Sequence, residues 1–116
     1  MTLTVYNHIH IGNARPVVIF DVLNRFLQNQ KNNILFIQNI TDVDDKIINA
    51  AAKAGISEKE LSEKYIEAYM DVLDLLNIKS IKMPKVSEHI QEIQDFIGKL
   101  VDKKSAYIVD GDVYFD

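Results

Sequence analysis

The chain has 116 residues, of which 47% are hydrophobic and 26% are charged. This length and balance are typical of one globular domain with a single core, and they exclude a disordered tail or a fibrous repeat. The 13 Lys and Arg residues against 17 Asp and Glu residues give a formal net charge of −4. That charge argues against a stand-alone nucleic-acid-binding protein, because phosphate contacts need clustered cations.

The sequence contains no cysteine. This excludes disulfide bonds, cysteine nucleophiles and thiolate zinc sites, and it is typical of a reducing compartment. No apolar run approaches the ~20 residues that span a bilayer, and no charged-then-apolar leader is present. We therefore expect a cytoplasmic protein without a membrane partner.

The first half of the chain predicts a strand, a helix and a second strand. A β-prone run at 3–6 is followed by a polar segment, a helix from Arg15 to about Gln28 that has Pro16 in its first turn, and a largely buried strand at 34–40. The apolar residues at helical spacing predict the core face of the helix: Ile19, Phe20, Leu23, Phe26 and Leu27. A crossover helix leaves its two strands parallel and right-handed, so this unit indicates the start of a doubly wound α/β fold.

The middle of the chain predicts two further helices. Thr41 or Asp42 can cap a helix that runs to about Lys53 and ends at Gly55, and Ser57 opens the next helix with a capping box. The predicted core face of that third helix is Leu61, Tyr65, Tyr69, Val72, Leu73 and Leu76. The segment 78–85 contains a proline and is predicted to be a linker.

The last third predicts a fourth helix and a hairpin. The helix begins at Ser87, and its inward residues are expected to be Ile90, Ile93, Ile97, Leu100 and Val101. The hairpin pairs 106–109 with 112–115 around Asp110 and Gly111, a dipeptide that suits a two-residue turn because both positions need positive φ. A fold that begins as βαβ and ends on such a hairpin leaves sheet edges open.

The chemistry-bearing stretch lies between the first strand and the first helix, in Tyr-Asn-His-Ile-His-Ile-Gly-Asn-Ala-Arg-Pro at 6–16. A helix N-terminus presents free N–H groups that favour a phosphate, and Gly12 lets a flat base approach the backbone. His10 and Asn13 can donate hydrogen bonds to oxygens there. The alternative is a polar turn in which Gly12 supplies a bend and His10 satisfies a backbone carbonyl.

Three separated blocks of the sequence resemble the cysteinyl-tRNA synthetase family. The first block comprises Thr-Val-Tyr-Asn at 4–7, His-Ile-Gly-Asn-Ala-Arg-Pro at 10–16 and Phe-Asp-Val-Leu at 20–23. The second is Gln-Asn-Ile-Thr-Asp-Val-Asp-Asp-Lys-Ile-Ile at 38–48, and the third comprises Ala-Tyr at 106–107 and Gly-Asp-Val-Tyr-Phe at 111–115. Residues 10–13 match the His-Ile-Gly-His-type signature of class I aminoacyl-tRNA synthetases in an Asn-ending form.

The resemblance implies a function and a set of site residues. The family activates cysteine with ATP and Mg²⁺ and transfers the cysteinyl group to its tRNA. By this match His10 and Asn13 are the catalytic residues and, together with Gly12, hold ATP. Thr41 would lie beside the bound amino acid. The floor of the pocket would be formed by Thr4 and Tyr6.

The resemblance also implies an architecture. Residues 1–54 would form the first βαβ half of a Rossmann-like parallel sheet, of the nucleotidyl transferase type that carries this signature. Residues 55–116 would form the helices and β-hairpin that begin the connecting insertion. The matched region resembles about the first quarter of the enzyme.

Two features depart from the family pattern. The family holds zinc through a cysteine whose position here falls on Met1, and a thioether is a poor zinc ligand, so no metal site is expected. The second class I signature, Lys-Met-Ser-Lys-Ser, has a look-alike at 82–87, Lys-Met-Pro-Lys-Val-Ser. That stretch comes too early in the chain and matches a segment that joins two helices of the insertion.

Several polar residues admit more than one interpretation. Asp42, Asp44 and Asp45 could hold Mg²⁺, but acids at a helix start more often serve the cap and the dipole. His8 and His10 would share one face if they lay on a strand, which is a weak indication of a metal site. Arg15 could reach a phosphate or pair with a nearby carboxylate.

Three functional hypotheses remain open at this point. The chain could be part of a synthetase-like catalytic domain that binds ATP weakly. It could be a non-catalytic paralogue or assembly module that associates with itself or another chain through an open sheet edge. It could also be a small nucleotidyltransferase with the same signature.

Overall fold

The computed structural model describes residues 3–116, with side chains from Thr4 onward, so Met1, which occupies the position of the family's zinc-binding cysteine, lies outside the described residues. The chain is an α/β structure with four helices, a short parallel sheet and a small antiparallel sheet. In chain order the elements are β1 (Leu3–Thr4), α1 (Ile11–Asn29), β2 (Ile40–Thr41), α2 (Asp45–Ala54), α3 (Glu58–Leu75), a 3₁₀ turn (Val86–His89), α4 (Ile90–Asp102), β3 (Ala106–Val109) and β4 (Asp112–Phe115).

The two strands around the first helix are parallel, as predicted, but shorter than expected. Leu3 lies opposite Ile40 and Thr4 lies opposite Thr41. The predicted strand at 34–40 pairs with β1 only at its carboxyl end. The parallel direction of the two strands was predicted from the sequence, whereas the length of the ladder was not.

The segment predicted to be a linker adds a third parallel stretch to the other side of β2. Isolated bridges join Ile37 to Lys82 and Ile40 to Lys85. The amide of Gln38 donates to the carbonyl of Lys82 at 3.0 Å, and the amide of Ile40 donates to Pro84 at 2.9 Å. The segment 78–85 contains no helix or strand, in keeping with the linker prediction, but these bridges attach it to residues 37–40, where Pro84 supplies a carbonyl acceptor and its missing N–H is not needed.

Helix α1 begins a full turn earlier than predicted. Its N-cap is His10, so Pro16 lies inside the helix and not at its start. The predicted core face was also wrong: Ile19, Phe20, Leu23 and Phe26 are exposed and Leu27 is only half-buried, while Val17, Asp21 and Asn24 are buried. Periodicity identifies an apolar face, but the face that is covered depends on where the neighbouring elements lie.

Two small cores lie between the parallel strands and the helices that follow. The first joins Val5, Ile40, Ile47, Ala51 and Leu61, which come from both sides of residue 54. The second is formed by Val17, Tyr69, Leu73 and Ile78. Burial of these side chains holds β1, α1, α2 and α3 together.

Helices α2 and α3 begin and end on local signals. Asp44, and not Thr41 or Asp42, caps α2, and its carboxylate accepts from the Lys46 amide at 2.8 Å. Gly55 ends that helix with φ 69°, a left-handed conformation that glycine adopts without strain. The hydroxyl of Ser57 accepts from the Glu60 amide at 3.2 Å, which confirms the predicted cap of α3.

The last third of the chain lies apart from both cores. The hairpin has the predicted bounds, and Asp110 and Gly111 both have positive φ, at 51° and 94°. The expected inward face of α4 is only partly covered: Ile97, Leu100 and Val101 are half-buried, whereas Ile90 and Ile93 are exposed. A two-stranded hairpin and one 3₁₀ turn are too small to cover the whole helix.

None of the helices in residues 3–116 combines the length and the apolarity that a membrane crossing requires.

Candidate functional site

The predicted site residues gather at a cleft where β1 leads into α1. The cleft has a volume of about 230 Å³. It is lined by Thr4, Tyr6, Asn7, His8, Ile9, His10, Asn13 and Lys46. Four of the six residues predicted to hold the nucleotide and the amino acid therefore line the same cleft.

His10 is the N-cap of α1, and its side chain is fixed by the helix that it caps. Its Nδ1 accepts a hydrogen bond from the Gly12 amide at 3.1 Å. In the neutral ring the proton then sits on Nε2, which is left as a donor at the exposed end of the imidazole. The alternative prediction, in which His10 satisfies a backbone carbonyl, does not describe this contact, since the side chain accepts from an amide.

Gly12 is placed so that its missing side chain makes room for His10. A Cβ at position 12 would stand 2.8 Å from Cε1 and 3.0 Å from Nδ1 of the His10 ring. Any larger residue would push the imidazole out of its capping position. Gly12 therefore permits the cap, and its predicted contact with adenine stays a prediction.

Two further predicted site residues, Asn13 and Thr41, differ in their position relative to the cleft. Asn13 lines the cleft, and its backbone amide donates to the His10 carbonyl at 2.9 Å. Thr41 does not line the cleft. It lies beside Thr4 in the parallel ladder, and its hydroxyl accepts from the Asn39 amide at 3.3 Å.

The charge of the side chains that line the cleft differs from that of the chain as a whole, which is acidic. Among the described residues that line it there is no Asp or Glu, whereas Lys46 contributes a positive charge and His8 and His10 contribute imidazole rings. The start of α1 adds the partial positive charge of a helix N-terminus. Such a surrounding favours an anionic ligand over a cation.

The three acidic residues near the end of β2 serve local structure. Asp44 caps α2, and Asp42 accepts from the backbone amide of Ser87 at 2.9 Å, which ties the 3₁₀ turn to the end of β2. Within residues 3–116, no group of three or more metal-ligating side chains is placed to hold an ion. The hydrogen bonds support the cap interpretation for Asp44, while Asp45 lies in the first turn of the same helix and Asp42 instead joins β2 to the 3₁₀ turn.

The remaining polar candidates are dispersed. His8 packs edge-on against Tyr65, with ring centroids 5.2 Å apart, and the segment that contains His8 and His10 is a loop and not a strand. Arg15 takes part in none of the ion pairs among the described residues. The look-alike at 82–87 lies against β2, and none of its residues lines the cleft.

Sequence reasoning missed Lys46 as a member of the site. It belongs to the block at 38–48 that carries the resemblance, but no role was predicted for it. Its Nζ lies 5.8 Å from the centroid of the Tyr6 ring. The available signal was its position on the second residue of a helix that follows a parallel strand, at the sheet edge where the cleft forms.

A family model described as the catalytic domain of class I (C) tRNA synthetases matches residues 1–116. The chain belongs to this family. The family covers all three blocks that carry the resemblance, and its match places residues 10–13 within a class I tRNA synthetase catalytic domain.

Relatives of this synthetase family are named cysteine–tRNA ligases. The chain is 54% identical over 115 residues to the one from Malacoplasma penetrans, 54% over 113 residues to one from Lactococcus lactis and 49% over 114 residues to one from Archaeoglobus fulgidus. Each match covers 97% of this chain but only 26%, 25% and 24% of the relative. The chain thus spans about a quarter of the length of these ligases.

Proposed function

We propose that this chain forms the ATP- and cysteine-binding portion of a cysteine–tRNA ligase. In this proposal residues 1–54 are the first βαβ half of a Rossmann-like nucleotide-binding sheet, and residues 55–116 begin the connecting insertion. Transfer of the cysteinyl group to its tRNA belongs to the much longer relatives. This chain alone is expected to bind ATP weakly and to form adenylate slowly at most.

The observation that carries the proposal is the His10–Gly12 contact at the mouth of the cleft. It fixes the imidazole with Nε2–H free to donate, next to the N-terminus of α1. A phosphate placed there meets a directed donor and the dipole of the helix. The side-chain carboxamide of Asn13, which lines the cleft, can add a second donor, so the protein can stabilise negative charge that grows on a phosphate without covalent work.

The remaining predicted roles follow from position in the cleft. Tyr6 and Thr4 form the wall that the amino acid would contact, and Thr41 stands one strand away. Mg²⁺ would accompany ATP on its phosphates, since none of the described residues that line the cleft is a carboxylate. The described residues supply no zinc ligand set, so a zinc site is not part of this proposal.

The experiment that tests the proposal is calorimetric titration of the chain with ATP, in the presence of Mg²⁺ and cysteine. We expect binding, and we expect His10→Ala to weaken it by roughly tenfold, the loss typical of a charge-assisted hydrogen bond. If binding is seen, pyrophosphate exchange would then measure adenylate formation.

A matched control is available in His89→Ala. His89 is exposed, and it pairs with Glu92 at 3.7 Å outside the cleft. This variant should bind ATP like the unsubstituted chain. Equal binding by the His10→Ala variant, or a folded chain that binds no ATP at all, would contradict the nucleotide role.

The apolar surface of α1 supports one alternative, a non-catalytic assembly module. Phe20, Leu23 and Phe26 are exposed on this helix, next to the exposed Leu35 and Ile37. Contiguous apolar surface of this kind marks protein–protein contacts. This alternative would be favoured if the folded chain failed to bind ATP but associated with itself or with another polypeptide, whether through this face or through the open sheet edge.

A further inference from the structure

The N-cap of α2 fixes the backbone of Lys46 beside the cleft. It is the second residue of α2, and its amide donates to the Asp44 carboxylate at 2.8 Å. The cap therefore fixes where the lysine side chain leaves the helix. From there its Nζ reaches the Tyr6 ring, 5.8 Å from the centroid, and both residues line the cleft.

Local stability does not explain a lysine at this position. A cation in the first turn of a helix faces the positive end of the dipole and is unfavourable there. Within residues 3–116, no carboxylate oxygen lies within 4.0 Å of the Lys46 Nζ. The exposed cation–π contact with Tyr6 is worth only about 0.5–1 kcal/mol.

The charge of the residues that line the cleft provides a reason for a lysine at this position. Lys46 is the sole Lys or Arg among the described lining residues, and none of those residues is acidic. An anion in the cleft would meet positive charge from two separate elements, the start of α1 and the start of α2. This arrangement suits an anionic oxygen group held between them.

We propose that Lys46 binds an anionic oxygen group of the ligand in this cleft, either a phosphate of ATP or the carboxylate of cysteine. The proposal rests on the proposed function, since it names a residue of the same site. Lys46 would act in binding and positioning, through its charge and not through its packing.

The test compares Lys46→Met, which keeps the length of the side chain and removes the charge, with Lys46→Arg, which keeps the charge. Lys64→Met is the matched control, because Lys64 is also exposed and its Nζ lies 5.6 Å from the Tyr65 ring, but it does not line the cleft. Each variant is titrated by calorimetry with ATP, adenosine, tripolyphosphate and cysteine. The titrations are repeated at two salt concentrations.

We expect Lys46→Met to weaken ATP or cysteine binding by roughly tenfold and to reduce its salt dependence. Lys46→Arg should recover most of the affinity, and Lys64→Met should have none of these effects. A loss confined to ATP and tripolyphosphate, with adenosine unchanged, identifies a phosphate. A loss confined to cysteine identifies the carboxylate.

Two results would overturn the proposal in distinguishable ways. If the unsubstituted chain binds ATP and Lys46→Met binds every ligand equally well, the role of Lys46 fails while the proposed function stands. If the folded, unsubstituted chain binds neither ATP nor cysteine, both fail. Circular dichroism and thermal unfolding of Lys46→Met confirm that any loss is not a loss of the fold.

Discussion

At the residue scale, Gly12 and the imidazole of His10 compete for the same space. Gly12→Ala should displace the ring and break the Nδ1 contact, because the new Cβ would stand 2.8 Å from Cε1. The lost cap costs about 1 kcal/mol, and alanine regains about 0.5–1 kcal/mol in a helix, so the free energy of unfolding should change little. ATP affinity should fall severalfold, as measured by calorimetry.

The control for this change is Gly98→Ala in α4. A Cβ at position 98 would meet nothing within 4 Å. This variant should be more stable by about 0.5–1 kcal/mol and should bind ATP unchanged. Unaltered ATP binding by the Gly12→Ala variant would show that the cap does not position the imidazole for the ligand.

The ionisation of Tyr69 should make the free energy of unfolding depend on pH in the alkaline range. Burial raises the pKa of this phenol above its ordinary value of 10.0, and the amide of Gln38, which can donate to a phenolate, opposes part of the rise. The unfolded chain therefore releases the phenolic proton more readily than the folded chain. The resulting stability is fully present below about pH 10 and is lost as the pH rises through the folded pKa.

Tyr69→Phe removes this titration and leaves the Gln38 side chain without its partner, whose hydroxyl lies 3.0 Å from Oε1. We expect the variant to be less stable at neutral pH by about 1–2 kcal/mol. Its free energy of unfolding should then fall less steeply above about pH 10 than that of the unsubstituted chain. Urea unfolding at several pH values measures both effects, and parallel pH profiles would contradict the assignment to Tyr69.

At the scale of the element, α1 carries an apolar stripe on the face that the fold leaves open. Val17 is 1% exposed and packs in a core with Tyr69, whereas Val22 on the same helix is 62% exposed. Val17→Ala should lower the free energy of unfolding by about 2 kcal/mol, because it removes buried methyl groups. Val22→Ala should change it little, because that side chain is already exposed. The change in helix propensity is the same in both variants, so the difference between them reports burial. Equal effects in urea unfolding would contradict the assignment of Val17 to the covered side of α1 and of Val22 to the open side.

The buried side of α1 is partly polar, which sequence reasoning did not expect. Asp21 is 6% exposed and pairs with Arg25 at 2.7 Å, and the Arg25 guanidinium also donates to the Asn77 carbonyl. Asn24 is likewise buried and donates to the Ser80 carbonyl at 3.5 Å. These contacts join α1 to the segment between α3 and the 3₁₀ turn, more than fifty residues away.

At the scale of the whole molecule, the chain is more open than a compact domain of its size. Its radius of gyration is 17.1 Å, against about 13 Å expected for this length. Its accessible surface is 8578 Å², against roughly 6,500 Å² for a compact protein of this mass. The excess reflects the uncovered face of α1 and the outlying α4 and hairpin.

We expect this open surface to drive association in solution. Light scattering after size exclusion should give an apparent mass above 13.3 kDa that rises with protein concentration. Phe26→Ser on α1 should reduce that mass, whereas Phe96→Ser on α4, a residue of similar exposure, should reduce it less. A monodisperse monomer at all concentrations would contradict this expectation.

Local chemistry was sufficient to predict the elements whose signals lie within a few residues. The Ser57 cap, the glycine that ends α2 and the Asp110–Gly111 turn depend on hydrogen bonds and φ values of neighbouring residues, and all three are present as predicted. The blocks of the sequence also sufficed to identify the synthetase family. Four of the predicted site residues share the cleft because they follow one strand into one helix.

Only the tertiary structure decided which faces are covered and which distant residues meet. The stripe of α1 is apolar in the sequence, but burial depends on what packs against it, and here Tyr69 and Ile78 cover the opposite side. Segment 82–85 forms isolated bridges to residues 37 and 40 because the backbone groups there are free to accept and donate hydrogen bonds on that side. Lys46 lines the cleft because the parallel pairing of β1 with β2 brings the start of α2 beside the start of α1, and the sequence indicated this edge of the sheet but not which side chain of α2 reaches it.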